Sequence, residues 1–153
     1  MNSDENSDLS LTRRIDDRNN TWQMPQGGID HLENPLVAAL RELHEETGMT
    51  SVRIISSIDS WLDYEFPTKV RAQLPGQWVR YRGQTQKWLL LEFLGKDSEI
   101  DLSCNGSPEF SEWRWMALED LPKSVVDFKR DVYEAVAYHF CPRIHHLVGR
   151  EGF

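Results

Sequence analysis

Apolar positions change rhythm several times along the chain, and each change marks an element. Leu9 to Ile15 predicts a short edge strand, followed by a polar turn from Asp16 to Asn20. Trp22 to Met24 then runs into Pro25-Gln26-Gly27-Gly28, a loop. Asn34-Pro35 opens a helix: Asn caps, and Pro fills the first helical position, where no amide partner is needed. Leu36, Leu40, Leu43 and Thr47 fall three or four apart, which predicts one packed helix face, and Gly48 is the stop. Val52 to Ile58 reads as a strand. Trp61 to Phe66 reads as a loop or strand edge broken by Pro67, and Ala72 to Gly83 as a connection. Lys87 to Leu94 is the strongest strand pattern, near-continuously apolar, and is expected at the centre. Asp97 to Pro108 is polar, with a turn at Asn105-Gly106. Glu112 to Met116 alternates, as a half-buried strand does, and Leu118 to Leu121 suits a short helical turn. Phe128, Val132, Val136 and Phe140 share one face of a last helix, expected to end before Pro142. Of Trp61, Trp88, Trp113 and Trp115, about three are expected in the core. Strands, helix, strands, helix is the order of an α/β (α+β) protein, a mixed sheet with a helix on each side.

Composition sets bounds on this picture. The 153 residues, 39% of them hydrophobic, are one domain's worth and can build a core without disulfides. Residues 1–10 read as a disordered or atypical tail, and 11–153 as a single domain. The two cysteines, Cys104 and Cys141, lack metal-type spacing and read as reduced thiols. No apolar run is long enough to span a membrane, so a cytoplasmic protein is expected. A net charge of -8 argues against a general grip on DNA or RNA. It leaves room for an enzyme that takes one phosphorylated end.

Candidate chemistry concentrates in Arg41-Glu42-Leu43-His44-Glu45-Glu46-Thr47-Gly48. Glu42, Glu45 and Glu46 share one helix face, with neighbours about 5–6 Å apart. Either they are a solvated acidic face with an Arg41–Glu45 pair, or they hold a hard divalent cation such as Mg²⁺ or Mn²⁺, which bridges well to phosphate. Gly27-Gly28 is either a plain turn or a loop whose backbone approaches a substrate. Glu33, at the helix mouth, suits the helix dipole.

The spacing Gly27…Glu33…Arg41-Glu42-Leu43-x-Glu45-Glu46-x-Gly48 resembles the motif of the Nudix hydrolases, with every fixed position filled. The stretches Trp22 to Asp30, Trp61-Leu62-x-Tyr64, Gly83-Gln84-x-Gln86-Lys87-Trp88, Glu109-Phe110-x-x-Trp113-Arg114-Trp115 and Phe128-Lys129-Arg130 are similar to the branch that acts on RNA 5′ ends and dinucleoside tetraphosphates. The resemblance covers about residues 11–140. It implies a Nudix-type mixed sheet sandwiched between helices, and hydrolysis of phosphoanhydrides with Mg²⁺ or Mn²⁺. By the same resemblance Glu42, Glu45, Glu46 and Glu109 hold metal, with Gly27 supporting the loop, and Glu45, Glu46, Glu109 and Arg41 are the catalytic set. Arg14, Gln84, Lys87 and Lys129 are candidates for the phosphates, and Tyr81 and Phe128 for a base; the plainer reading of each is surface or packing. The implied partners are 5′-phosphorylated RNA ends or dinucleoside polyphosphates, met by a monomer. Two departures stand out: only a short segment precedes Arg14, so a first strand is expected to be missing, and His31-Leu32 stands where relatives often carry glycine. A non-enzymatic sensor of nucleotides or RNA ends, and an interaction protein with an acidic helix, are the readings from other classes.

Overall fold

The computed structural model describes residues 8–14, 21–76 and 80–150, with side chains for 21–76 and 80–145. The elements are β1 (Asp8–Arg14), α1 (Pro35–Thr47), β2 (Val52–Ser57), β3 (Leu62–Glu65), α2 (Thr68–Arg71), β4 (Gly83–Gln86), β5 (Leu89–Phe93), β6 (Phe110–Ala117), α3 (Leu121–Ser124) and α4 (Arg130–Arg150). Three ladders form among the described residues, β1 with β6, β2 with β5 and β3 with β4, and all three are antiparallel. Helices and antiparallel strands together make an α+β protein. β1 begins at Asp8, inside the stretch read as tail. The polar turn expected at Asp16 to Asn20 lies outside the described residues.

The core gathers on α4, which buries Val132, Tyr133, Val136, Phe140 and Ile144 against Leu90, Trp88 and the α3 segment. Trp88 meets Tyr133 edge to face at 5.3 Å. Contrary to the sequence pattern, α4 does not stop before Pro142 but runs through it to Arg150. A proline inside a helix costs about 3 kcal/mol by removing one hydrogen bond and crowding the carbonyl four residues back. Here that residue is Tyr138, on the exposed side of the helix. Burial of Ile144, two residues further on and fully enclosed, helps offset that cost.

Two further expectations fail for one reason: burial depends on what faces a residue. On α1 the expected face holds at Thr47, which is fully enclosed, and at half-buried Leu43, but Leu36 and Leu40 are exposed; the other buried residues are Ala38 and Glu46. Of the four tryptophans only Trp88 is in the core. Trp113 and Trp115 are half-buried and meet edge to face at 6.1 Å. Trp61, just ahead of β3, is exposed.

Candidate active site

The glycine loop is fixed at its entrance by the core. Trp22 N donates to Ser124 O at 2.8 Å and Met24 N to the Tyr133 hydroxyl at 2.9 Å. Burial pushes the Tyr133 hydroxyl's pKa up, so it stays neutral and available as an acceptor. Past that anchor, Gln26 N donates to Glu46 Oε2 at 3.1 Å, and Gln86 Nε2 donates to Gln26 Oε1 at 2.8 Å. The loop is thereby tied to α1 on one side and to β4 on the other.

Gly27 lies directly over the Glu42 carboxylate; a Cβ built on it would fall on that group. This is why the position carries glycine: the backbone approaches a charged side chain more closely than any side chain permits. Asn34 caps α1 by accepting from Leu36 N at 2.8 Å, and Gly48 closes it at φ 75°. The helix therefore starts and stops where the carboxylates need it. Leu32, between loop and helix, is the one non-glycine residue with positive φ among those described, at 62°, and is 92% exposed. Glycine would hold that conformation without the penalty of about 1–2 kcal/mol.

Arg41 is the hub. Its Nε and Nη2 grip both oxygens of Glu33, at 2.9 and 2.8 Å. Nη1 donates to Glu42 Oε1 at 2.8 Å and reaches Glu45 Oε2 at 3.4 Å, while Nη2 also donates to Gly28 O at 2.8 Å. One planar fork thus joins the helix to the loop, a task suited to a guanidinium. The Arg41 hydrogen bonds first, and the Asp30 amide second, pull the Glu33 carboxyl down to about 2. The Arg41 pKa is pushed up chiefly by Glu33. Spacing alone assigns Glu33 only a dipole role, because its contact with Arg41 crosses from loop to helix and leaves no periodic trace. Gln26 and Gln86 were missed for the same reason.

The other candidates are spread more widely. Glu42 and Glu45 face Arg41, and Glu46 is buried against the loop. Glu109 is exposed, one residue ahead of β6. Gln84 accepts from the Tyr64 hydroxyl on β3. Lys87 donates to Ile58 O at 2.6 Å and Asp59 O at 2.9 Å, so its ammonium holds the β2–β3 connection. Lys129 is buried, with Nζ 5.4 Å from the Tyr64 ring centre. Phe128 packs on Tyr64 at 5.7 Å and Phe66 at 6.0 Å, which makes it part of the core margin. Tyr81 is exposed at the rim of a cavity of about 570 Å³ that Gly27, Gly28, Glu42, Gln84 and Lys87 also line. The Arg14 side chain lies outside the described residues.

The donor set suits a hard divalent ion: oxygen ligands, negatively charged, on one helix face under a loop without a Cβ. Arg41 engages one oxygen of Glu42 and one of Glu45, and each carboxylate has further lone pairs to offer. Among the described residues no three acidic, histidine or cysteine side chains already converge as a cage.

The chain belongs to the Nudix hydrolase family, since the NUDIX domain model matches residues 1–136. It is 47% identical over 135 residues to the RNA pyrophosphohydrolase of Acidiphilium cryptum (strain JF-5), covering 86% of this chain and 80% of that protein. It is 50% identical over 125 residues to chloroplastic Nudix hydrolase 27 of Arabidopsis thaliana, covering 80% of this chain but 55% of that one. In structure it resembles the E. coli dihydroneopterin triphosphate pyrophosphohydrolase, with a TM-score of 0.66 over 89% of each chain at 17% identity. It also resembles a C. elegans Ap4A hydrolase, with a TM-score of 0.59 over 88% of each at 20% identity. These two show the shared fold. Nudix hydrolases use divalent metal ions. No helix among the described residues is long and apolar enough to cross a membrane.

Proposed function

We propose that this protein hydrolyses the 5′-triphosphate of RNA, with Mg²⁺, to a 5′-monophosphate end and pyrophosphate. The observation that carries the reading is the seating of Gly27 on the Glu42 carboxylate, which brings loop amides and acidic helix to one place. The choice of RNA rests on relatives of that name, such as those of Acidiphilium cryptum and, at 47% identity over 127 residues, Pelagibacter ubique (strain HTCC1062).

Glu42, Glu45 and Glu46 would hold the ion, with Glu109 completing the set. When bound, it neutralises phosphate oxygens and acidifies water. The chain's own residues do the rest. Arg41 keeps Glu42 and Glu45 aligned. The Gln26 amide holds Glu46 by Oε2. A glutamate oxygen takes the proton as water adds to phosphorus, the P–O bond to the departing pyrophosphate breaks, and the RNA keeps one phosphate. The cavity beside the loop admits the nucleoside end.

The test is a side-by-side assay of 5′-triphosphorylated RNA and diadenosine tetraphosphate, with Mg²⁺, with Mn²⁺ and with chelator. Metal-dependent pyrophosphate release from RNA is expected. Faster release of ATP and AMP from the dinucleotide would move the assignment to that substrate. Absence of product from both would leave a binding protein.

A further inference from the structure

About three of Trp61, Trp88, Trp113 and Trp115 are expected in the core, and Trp61 is not among the buried ones. It is 47% exposed, on the rim of the cavity that Gly27, Glu42 and Tyr81 also line. A tryptophan is seldom left this open, because its ring is among the largest apolar surfaces a side chain can bury. Its placement is also built. It ends the β2–β3 connection whose carbonyls, Ile58 O and Asp59 O, are held by Lys87. Inward from the rim the cavity is apolar, with Ala39, Leu43, Val52, Leu89 and Leu91 among its walls. Its volume, about 570 Å³, falls within the roughly 300–1,000 Å³ of small-ligand sites.

Charge shows why an exposed ring matters at this site. The protein carries a net charge of -8 and meets a polyanion. Of the cations near the cavity, Arg41 is bound by Glu33, Glu42 and Glu45, and Lys87 by two carbonyls. Lys129 is buried against Tyr64, and Arg82 lies 3.7 Å from Glu65. Contacts to phosphate position the reactive end but do not by themselves hold the base. Stacking on a base is insensitive to the protein's charge and is available to any nucleotide, since every base has a π-face.

We propose that Trp61 stacks on the base of the nucleotide carrying the reactive phosphates, seating it at the cavity mouth opposite the glycine loop. This rests on the nucleotide substrate proposed above. The ligand class is a purine or pyrimidine ring, and purines, with the larger π-face, bind better. Lys87 is a positioning residue for this ring through the carbonyls it holds.

Two probes are compared: 5′-triphosphorylated RNA as substrate, and inorganic tripolyphosphate, which lacks a base, as inhibitor. Trp61→Ala is expected to raise KM for RNA about 10-fold with kcat little changed, the pattern of lost ground-state binding. Trp61→Phe, which keeps a ring, restores KM to within about 3-fold. The inhibition constant of tripolyphosphate does not move in either variant. A wild-type KM in Trp61→Ala would overturn the proposal, as would weakening of tripolyphosphate by the same factor as RNA. A binding arm is independent of turnover: a nucleoside 5′-monophosphate quenches tryptophan emission in the wild type, and Trp61→Phe removes that quench. An inactive wild-type protein that still shows the Trp61-dependent quench would sink the RNA reaction and keep the base site. A quench unchanged in Trp61→Phe would sink the site.

Discussion

The two long helices are held by different physics. α4 is a packing helix: Tyr133, Val136, Phe140 and Ile144 are enclosed, and the apolar contact is strong enough to carry the helix through Pro142. α1 leaves Leu36, Val37 and Leu40 exposed and is held instead by Arg41, Asn34 and the buried Glu46. Apolar burial is non-directional and tolerates adjustment, whereas the charged network depends on geometry. The packing around α4 is therefore a platform that reaches the glycine loop through the Tyr133–Met24 bond.

Breaking the platform should have the largest effect. Ile144→Ala removes a fully enclosed side chain and is expected to cost about 2–5 kcal/mol of stability, read by urea denaturation. Turnover per folded molecule should change little. The reverse pattern is expected on α1. Glu45→Gln and Glu46→Gln should each lower kcat at least about 100-fold, near 2.7 kcal/mol, while circular dichroism and melting temperature stay close to wild type. Wild-type rates in both would remove the assigned metal roles. Gly27→Ala lies between: the new Cβ meets the Glu42 carboxylate, so kcat is expected to drop about 10-fold with a small loss of stability. The smallest effect is that of acid on Glu33, whose folded pKa of about 2 lies below its ordinary 4.5. A depressed carboxyl contributes stability above the ordinary value and loses it as pH falls toward the folded one. Stability should thus decline between about pH 4.5 and 2, and Glu33→Gln should flatten that part of the profile.

The contrast also governs what could be read in the sequence. The ends of α1 were legible because caps are local: Asn34, Pro35 and Gly48 act on amides and carbonyls within one turn. The Glu42, Glu45 and Glu46 face was legible from helical spacing, and the family from the motif built on it. Helix burial was not, because Leu36 and Leu40 have the right period for a partner that the fold does not supply. Pro142 misled because a local rule met a distant contact at Ile144. In the site, the Arg41–Glu45 pair follows from spacing of four. The stronger Arg41–Glu33 fork and the Gln26–Glu46 tie cross from loop to helix and exist only in three dimensions.

Arg41 joins four partners through one rigid plane: Glu33, Glu42, Glu45 and the Gly28 carbonyl. Loop shape and carboxylate orientation are for that reason a single variable. Lysine, a point charge on a flexible stem, can satisfy any one of these partners but not all at once. A substitution at this position therefore disturbs the loop and the carboxylates together.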